Sequence, residues 1–214
     1  MNERSPLGLI VIAGFVGTVF GIISSSSHPV FGLAAESFLT VERSTVSIDD
    51  GGDNGELTAE LEVEGLRIPT NGTRGAFGYG IFADDADDAI LIVHTHPGVL
   101  DSEAQRFIDD PVWHNHFVRL SDVDQCGEDQ GVVDITWQSP GQVEIDDNIA
   151  IISDVPTGEF EGWHSITGQS LLITLGQAIS DVISFKLHPV FGEEGLEAMC
   201  ITHIRSTEEV VNLD

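Results

Sequence analysis

Basic side chains are what this 214-residue chain has least of. Lys and Arg total 8 against 36 Asp and Glu, a formal net charge of −28, and Lys186 is the only lysine. A surface so poor in cations cannot neutralise a phosphate backbone, which excludes nucleic acid as a partner. It also leaves the folded part without attraction to an anionic bilayer. Cysteine is scarce too. Cys126 and Cys200 are too few for a disulfide scaffold, and neither lies in a CxxC that would make a zinc ribbon or a redox motif. They can close one bridge in an oxidising compartment or stay as two buried thiols. GxSxG, HExxH, GxxxxGK and a strand-borne GxGxxG are all missing, which removes the common hydrolase, nucleotide and dinucleotide signatures.

What is present begins at the amino terminus. Residues 6–23 (PLGLIVIAGFVGTVFGII) carry no charge and reach the lower length of a membrane-crossing helix. Arg4 precedes them and Glu36 is the first charge after them, so the positive-inside rule puts the remainder outside the cell. Residues 1–27 therefore read as an export signal or membrane anchor, and residues 37–214 as a single β-rich extracytoplasmic domain. The membrane is touched through this N-terminal hydrophobic helix only. The protein is expected at the cell membrane with an extracellular domain, or secreted if the segment is cut, for instance after Ser27. Asn71-Gly72-Thr73 is a glycosylation acceptor pattern, which suits an exported chain.

Carboxylates in place of lysine make the composition similar to that of proteins from salt-adapted archaea. The resemblance implies a fold whose self-repulsion is screened by concentrated salt.

Beyond residue 37 the pattern is one of short alternating runs. In residues 57–64 (LTAELEVE), Leu57, Ala59, Leu61 and Val63 face one way and Thr58, Glu60, Glu62 and Glu64 the other. Period two with one acidic face predicts a half-buried strand. Similar runs lie at 90–96, 112–120, 132–138, 143–147, 149–153, 171–175, 183–188 and 199–205, separated by Gly, Asp and Pro clusters. Many short strands with turn signals predict an all-β fold, an antiparallel β-sandwich or barrel. Residues 171–185 fit either a helical stripe or two strands around Gly176-Gln177. Residues 102–108 allow a short helical turn capped by Ser102.

The eight histidines carry the chemistry. Four of them form two HxH pairs, His94/His96 and His114/His116. In a strand, residues i and i+2 share a face, so each pair sets two imidazoles side by side. The first pair shares its face with Ile90 and Ile92, the second with Val112, Val118 and Leu120, so both point inward. The intervening 17 residues allow the two strands to be neighbours. Paired, the four rings would hold zinc or copper, for which neutral imidazole is a good ligand. Asp101 and Glu103, on the connecting loop, are candidates for an extra ligand or a supporting partner. His164, His188 and His203 are alternative ligands.

Three resemblances touch these residues. His94-Thr95-His96-Pro97 is similar to the start of the JAMM zinc-peptidase motif, which implies a zinc hydrolase; Gln105 stands where that family has its Asp ligand. The succession 57–66, 90–98 and 109–120 resembles CHRD domains, which implies an extracellular His-bearing β-sandwich. Copper/zinc superoxide dismutases likewise carry HxH on a sandwich strand, though their further His and Asp pattern is missing here. The reading from these residues is an exported β-domain holding zinc or copper in a His cluster, with catalysis open. The alternatives are a metal-free extracellular structural or interaction domain, or a JAMM-like hydrolase. The metal ion is the partner the sequence specifies; a protein partner is not specified.

Overall fold

The computed structural model describes residues 36–49, 55–84, 89–193, 195–207 and 209–213. The expected export segment at 1–27 lies outside them. The described residues are all-β, without an α-helix.

Five strands form an open sheet: β1 (Val41–Asp49), β2 (Glu56–Val63), β7 (Gln142–Asp146), β8 (Ile149–Pro156) and β13 (Val210–Leu213), in the order β13-β1-β2-β8-β7. Six more close a barrel: β3 (Phe77–Asp84), β4 (Ala89–Thr95), β5 (His114–Asp122), β6 (Gln130–Ile135), β11 (Ala178–Gly192) and β12 (Gly195–Ser206), in the order β11-β12-β6-β5-β4-β3. A hairpin of β9 (Glu159–Trp163) and β10 (Ser170–Thr174) completes the fold. The barrel pairs are antiparallel throughout, whereas β13 runs parallel to β1. The expected antiparallel arrangement thus fails at that one sheet edge. In residues 171–185 the two-strand alternative is realised, with Gly176 at φ 89° between β10 and β11. Residues 102–108 form turns rather than a helical segment; the Ser102 hydroxyl accepts the Ala104 N–H at 3.2 Å.

Two apolar cores result, and β4 belongs to both. Its residues are buried on both faces, which explains why AILIV reads as a continuous apolar run. Ile90 and Ile92 join Val118, Ile135, Phe185 and Ile201 in a cluster drawn from barrel strands, the filling of the lumen. Leu91 and Val93, with Tyr79 and Phe117, join Leu57, Leu61 and Ile152 in the larger core between barrel and sheet. Each such side chain contributes about 1.5–3 kcal/mol by leaving water. β3 alternates Phe77, Tyr79 and Ile81, which face the sheet, with Gly78 and Gly80, which face the lumen. The glycines let β4 and the side chains of the lumen approach β3 closely, His94 among them.

Two links tie the barrel ends. Cys126 and Cys200 form a disulfide that joins the turn after β5 to β12. Lys186 is paired with Glu36, whose carboxyl its hydrogen bond holds below the usual range; Arg205 lies 3.8 Å from the same carboxylate.

Candidate metal centre

The register of β4 and β5 sets His94 opposite His114 and Ile92 opposite His116. Residues 90, 92 and 94 point into the lumen from β4, with His96 directly after its end; 114, 116 and 118 do so from β5. Apolar residues fill one part of the lumen and the four histidines the other. All four are no more than 1 % exposed. Five of their ring pairs have centroids 4.5–5.2 Å apart, with edge-on planes. Rings bound to one ion at about 2.0–2.1 Å, with roughly 90–110° between their bonds, would be about 4.5–5.2 Å apart by the same measure. The rings are spaced as ligands of one ion are.

A carboxylate completes the group. The loop between β4 and β5 brings Asp101, which is buried, against the rings. Asp101 Oδ2 lies 3.2 Å from His96 Nε2, and Oδ1 lies 3.3 Å from His114 Nε2 and 3.7 Å from His116 Nε2. One potential ligand atom each from His94, His96, Asp101 and His114 all fall within 4.8 Å of one another.

Backbone carbonyls decide where the protons are. His114 Nδ1 donates to the Val112 carbonyl at 2.9 Å, and His116 Nδ1 donates to the Thr136 carbonyl. A carbonyl only accepts, so Nδ1 carries a proton in both rings, and in the neutral ring Nε2 is left as a bare lone pair turned inward. Those lone pairs face a carboxylate, acceptor against acceptor. Among the described residues, seven buried side-chain nitrogen or oxygen atoms lack a hydrogen-bond partner. Six belong to this cluster: both nitrogens of His94, His96 Nδ1, His114 Nε2, His116 Nε2 and Asp101 Oδ1. At about 1–3 kcal/mol for each buried unsatisfied group, such a collection is strongly unfavourable without a cation among them. Imidazoles oriented by carbonyls through the far nitrogen are the usual support of a metal site.

The electrostatics point the same way. Burial, and then the neighbouring His114, His96 and His116, hold the His94 pKa well below its ordinary value. Burial also lowers that of His114, although Asp101 opposes it. Burial pushes Asp101 upward, but His114, His116 and His96, wherever they turn a proton toward it, outweigh that and hold it well below the usual carboxylate range. Neutral imidazoles and an ionised carboxylate are the states a divalent ion requires.

Of the two acids offered by the sequence, Asp101 enters the cluster. Glu103 is exposed, and its backbone N–H bonds to the Trp137 carbonyl at 3.1 Å. The three alternative histidines lie elsewhere. His164 donates through Nε2 to the Val133 carbonyl and accepts the Ile166 N–H, closing a turn; His188 and His203 are exposed.

Sequence reasoning gave Gln105 no task beyond marking a departure from the JAMM pattern. In the fold its side chain is the clamp of the loop. Gln105 Oε1 accepts the Asp101 and Ser102 N–H groups at 3.0 and 3.2 Å, and Nε2 donates to the Val99 carbonyl at 3.0 Å. Ser165 Oγ holds the Asp101 carbonyl from the other side at 2.7 Å. A buried glutamine within a polar turn leaves no periodic signature, so no pattern in the sequence could have singled it out.

Compared with family models, with curated proteins and with solved structures, the chain has no match.

Proposed function

We propose that this protein is an exported metal-binding β-barrel domain whose His94, His96, His114, His116 and Asp101 hold one zinc or copper ion. The observation that carries the reading is the pair of bare Nε2 atoms of His114 and His116, turned by backbone carbonyls onto the Asp101 carboxylate. Imidazole nitrogen with a single carboxylate oxygen suits zinc and copper rather than calcium or magnesium, which take oxygen ligands. A group buried to this depth has no face for a substrate, so the ion acts as a structural lock between β4, β5 and the loop that covers them. Its binding energy is then folding energy. The Cys126–Cys200 disulfide supports residence outside the cytoplasm, where such bridges persist. The uncharged segment 6–23 would supply export, and the −28 charge would be screened by a salty medium.

Elemental analysis of the full chain, loaded in turn with zinc and copper and then desalted, tests the reading. About one equivalent is expected in the native chain and less than a tenth of that in the His94→Ala/His96→Ala variant. A native chain that retains neither ion, or a variant that retains as much as the native, would overturn it.

A further inference from the structure

We infer that Asn71 is a glycan attachment site, an inference that rests on the exported location proposed above. The turn that bears it lies in the connection between β2 and β3. Asn71 and Thr73 are both exposed, and Gly72 between them has φ 68°, a left-handed conformation that glycine adopts without strain. Asn71 Oδ1 accepts two hydrogen bonds from Thr73, at 3.2 Å from its N–H and 2.7 Å from its hydroxyl. The side-chain amide oxygen is thereby turned back on the loop of an exposed residue. The two chemical groups of the acceptor pattern are thus presented together, in the local structure, on an accessible turn.

The base of the turn is packed against the segment before β5. The Trp113 indole N–H donates to the Pro69 carbonyl at 3.1 Å, and a side chain at position 72 would begin 3.1 Å from Pro111 Cβ. The acceptor therefore lies beside the segment that leads from the Asp101 loop into β5.

The co-reactant is an oligosaccharide carried on a lipid phosphate, with a membrane transferase on the outer face as catalyst. In the transfer, Asn71 Nδ2 forms a bond to the anomeric carbon, and the bond from that carbon to the phosphate oxygen breaks. The lipid phosphate leaves with the electron pair, and the amide proton passes to a base of the transferase. No oxidant or reductant is involved.

The test is mass spectrometry of the full chain produced in a host that glycosylates exported asparagines. The expected result is a glycan mass on the peptide that contains Asn71, absent from Asn71→Gln and Thr73→Ala and retained in Thr73→Ser. Protein recovered outside the cell with its disulfide formed and Asn71 unmodified would overturn the assignment. If the chain stays inside the cell, the export reading has failed instead. The same full chain behind an established export signal then decides the site: modification of Asn71 upholds it and secretion with a bare Asn71 refutes it.

Discussion

Gly78 and His94 face one another across β3 and β4, and a Cβ at position 78 would lie 2.5 Å from the His94 Cβ and against the Val93 carbonyl oxygen. The two strands meet closely because one has no side chain there. Gly78→Ala must push His94 or its strand aside. Overpacking of this kind costs about 1–3 kcal/mol, and a ligand displaced by even a fraction of an ångström binds its ion less well. The expected outcome is a lower denaturation midpoint together with at least tenfold weaker metal binding, checked by urea titration and by competition with a chelator of known affinity. Gly98 provides the contrast. A Cβ there would meet no atom within 4 Å, but its φ is 93°. Gly98→Ala should therefore cost stability through backbone strain while disturbing the metal less.

Gln105 positions Asp101 without itself joining the His and Asp cluster. Removing such support from a metal site costs about 10–100-fold in affinity. Gln105→Ala should therefore weaken metal binding by that factor and alter the visible or paramagnetic spectrum of the copper-loaded protein. Gln105→Glu keeps an acceptor for the Asp101 and Ser102 N–H groups but loses the donor to Val99, so its effect should be smaller. A purely structural loop contact would change stability and leave the spectrum as it was.

Acid should destabilise the metal-free protein in a defined direction. Burial, then the neighbouring imidazoles, lower the folded-state pKa of His94 well below the ordinary 6.5. Below about pH 6.5 the unfolded chain binds a proton that the native chain does not, so stability falls as pH falls. His114 adds to the loss in the same direction, and Asp101 adds to it below its ordinary 3.8. Each group contributes up to about 1.4 kcal/mol per pH unit while it is protonated only in the unfolded chain. Urea midpoints of chelator-treated protein should drop between pH 7.5 and 5.5, and less steeply in His94→Leu. A midpoint that rises over that interval would contradict the burial of neutral imidazoles.

How far the sequence foretold this arrangement varies with the residue. Leu57 to Val63 alternate cleanly because one face of β2 meets the core and the other meets water. The inward direction of both HxH pairs followed from the same period, since His94 shares its face with Ile90 and Ile92 and His116 shares its face with Val118. β3 escaped because its lumen-facing positions are Gly78 and Gly80, which erase the alternation on which a strand reading depends. β9 and β13 escaped because they are short and lie at a hairpin and a sheet edge, where few apolar residues are needed. The parallel pairing of β13 with β1 joins residues far apart in the chain, and no local pattern records it. Within the centre, residue type and spacing marked the imidazoles. The choice of Asp101 over Glu103 depends on the path of a loop, fixed by Gln105 and Ser165, and that path has no periodicity.

The disulfide should matter to folding more than to the ion. Cys126 and Cys200 are separated by 74 residues, and closing a loop of that length removes denatured-state entropy worth about 4 kcal/mol. The Cys126→Ser/Cys200→Ser variant should unfold at correspondingly lower urea while binding its ion with the same stoichiometry. A variant that folds normally yet loses the ion would tie the bridge to the metal centre instead.

X-ray absorption at the metal edge of the zinc- or copper-loaded full chain tests the centre most directly. The ligand set requires four or five nitrogen and oxygen donors at about 2.0–2.1 Å, with the outer-shell scattering of several imidazoles and no sulfur. A shell with one imidazole or none, filled by water or carboxylate oxygen alone, would contradict it.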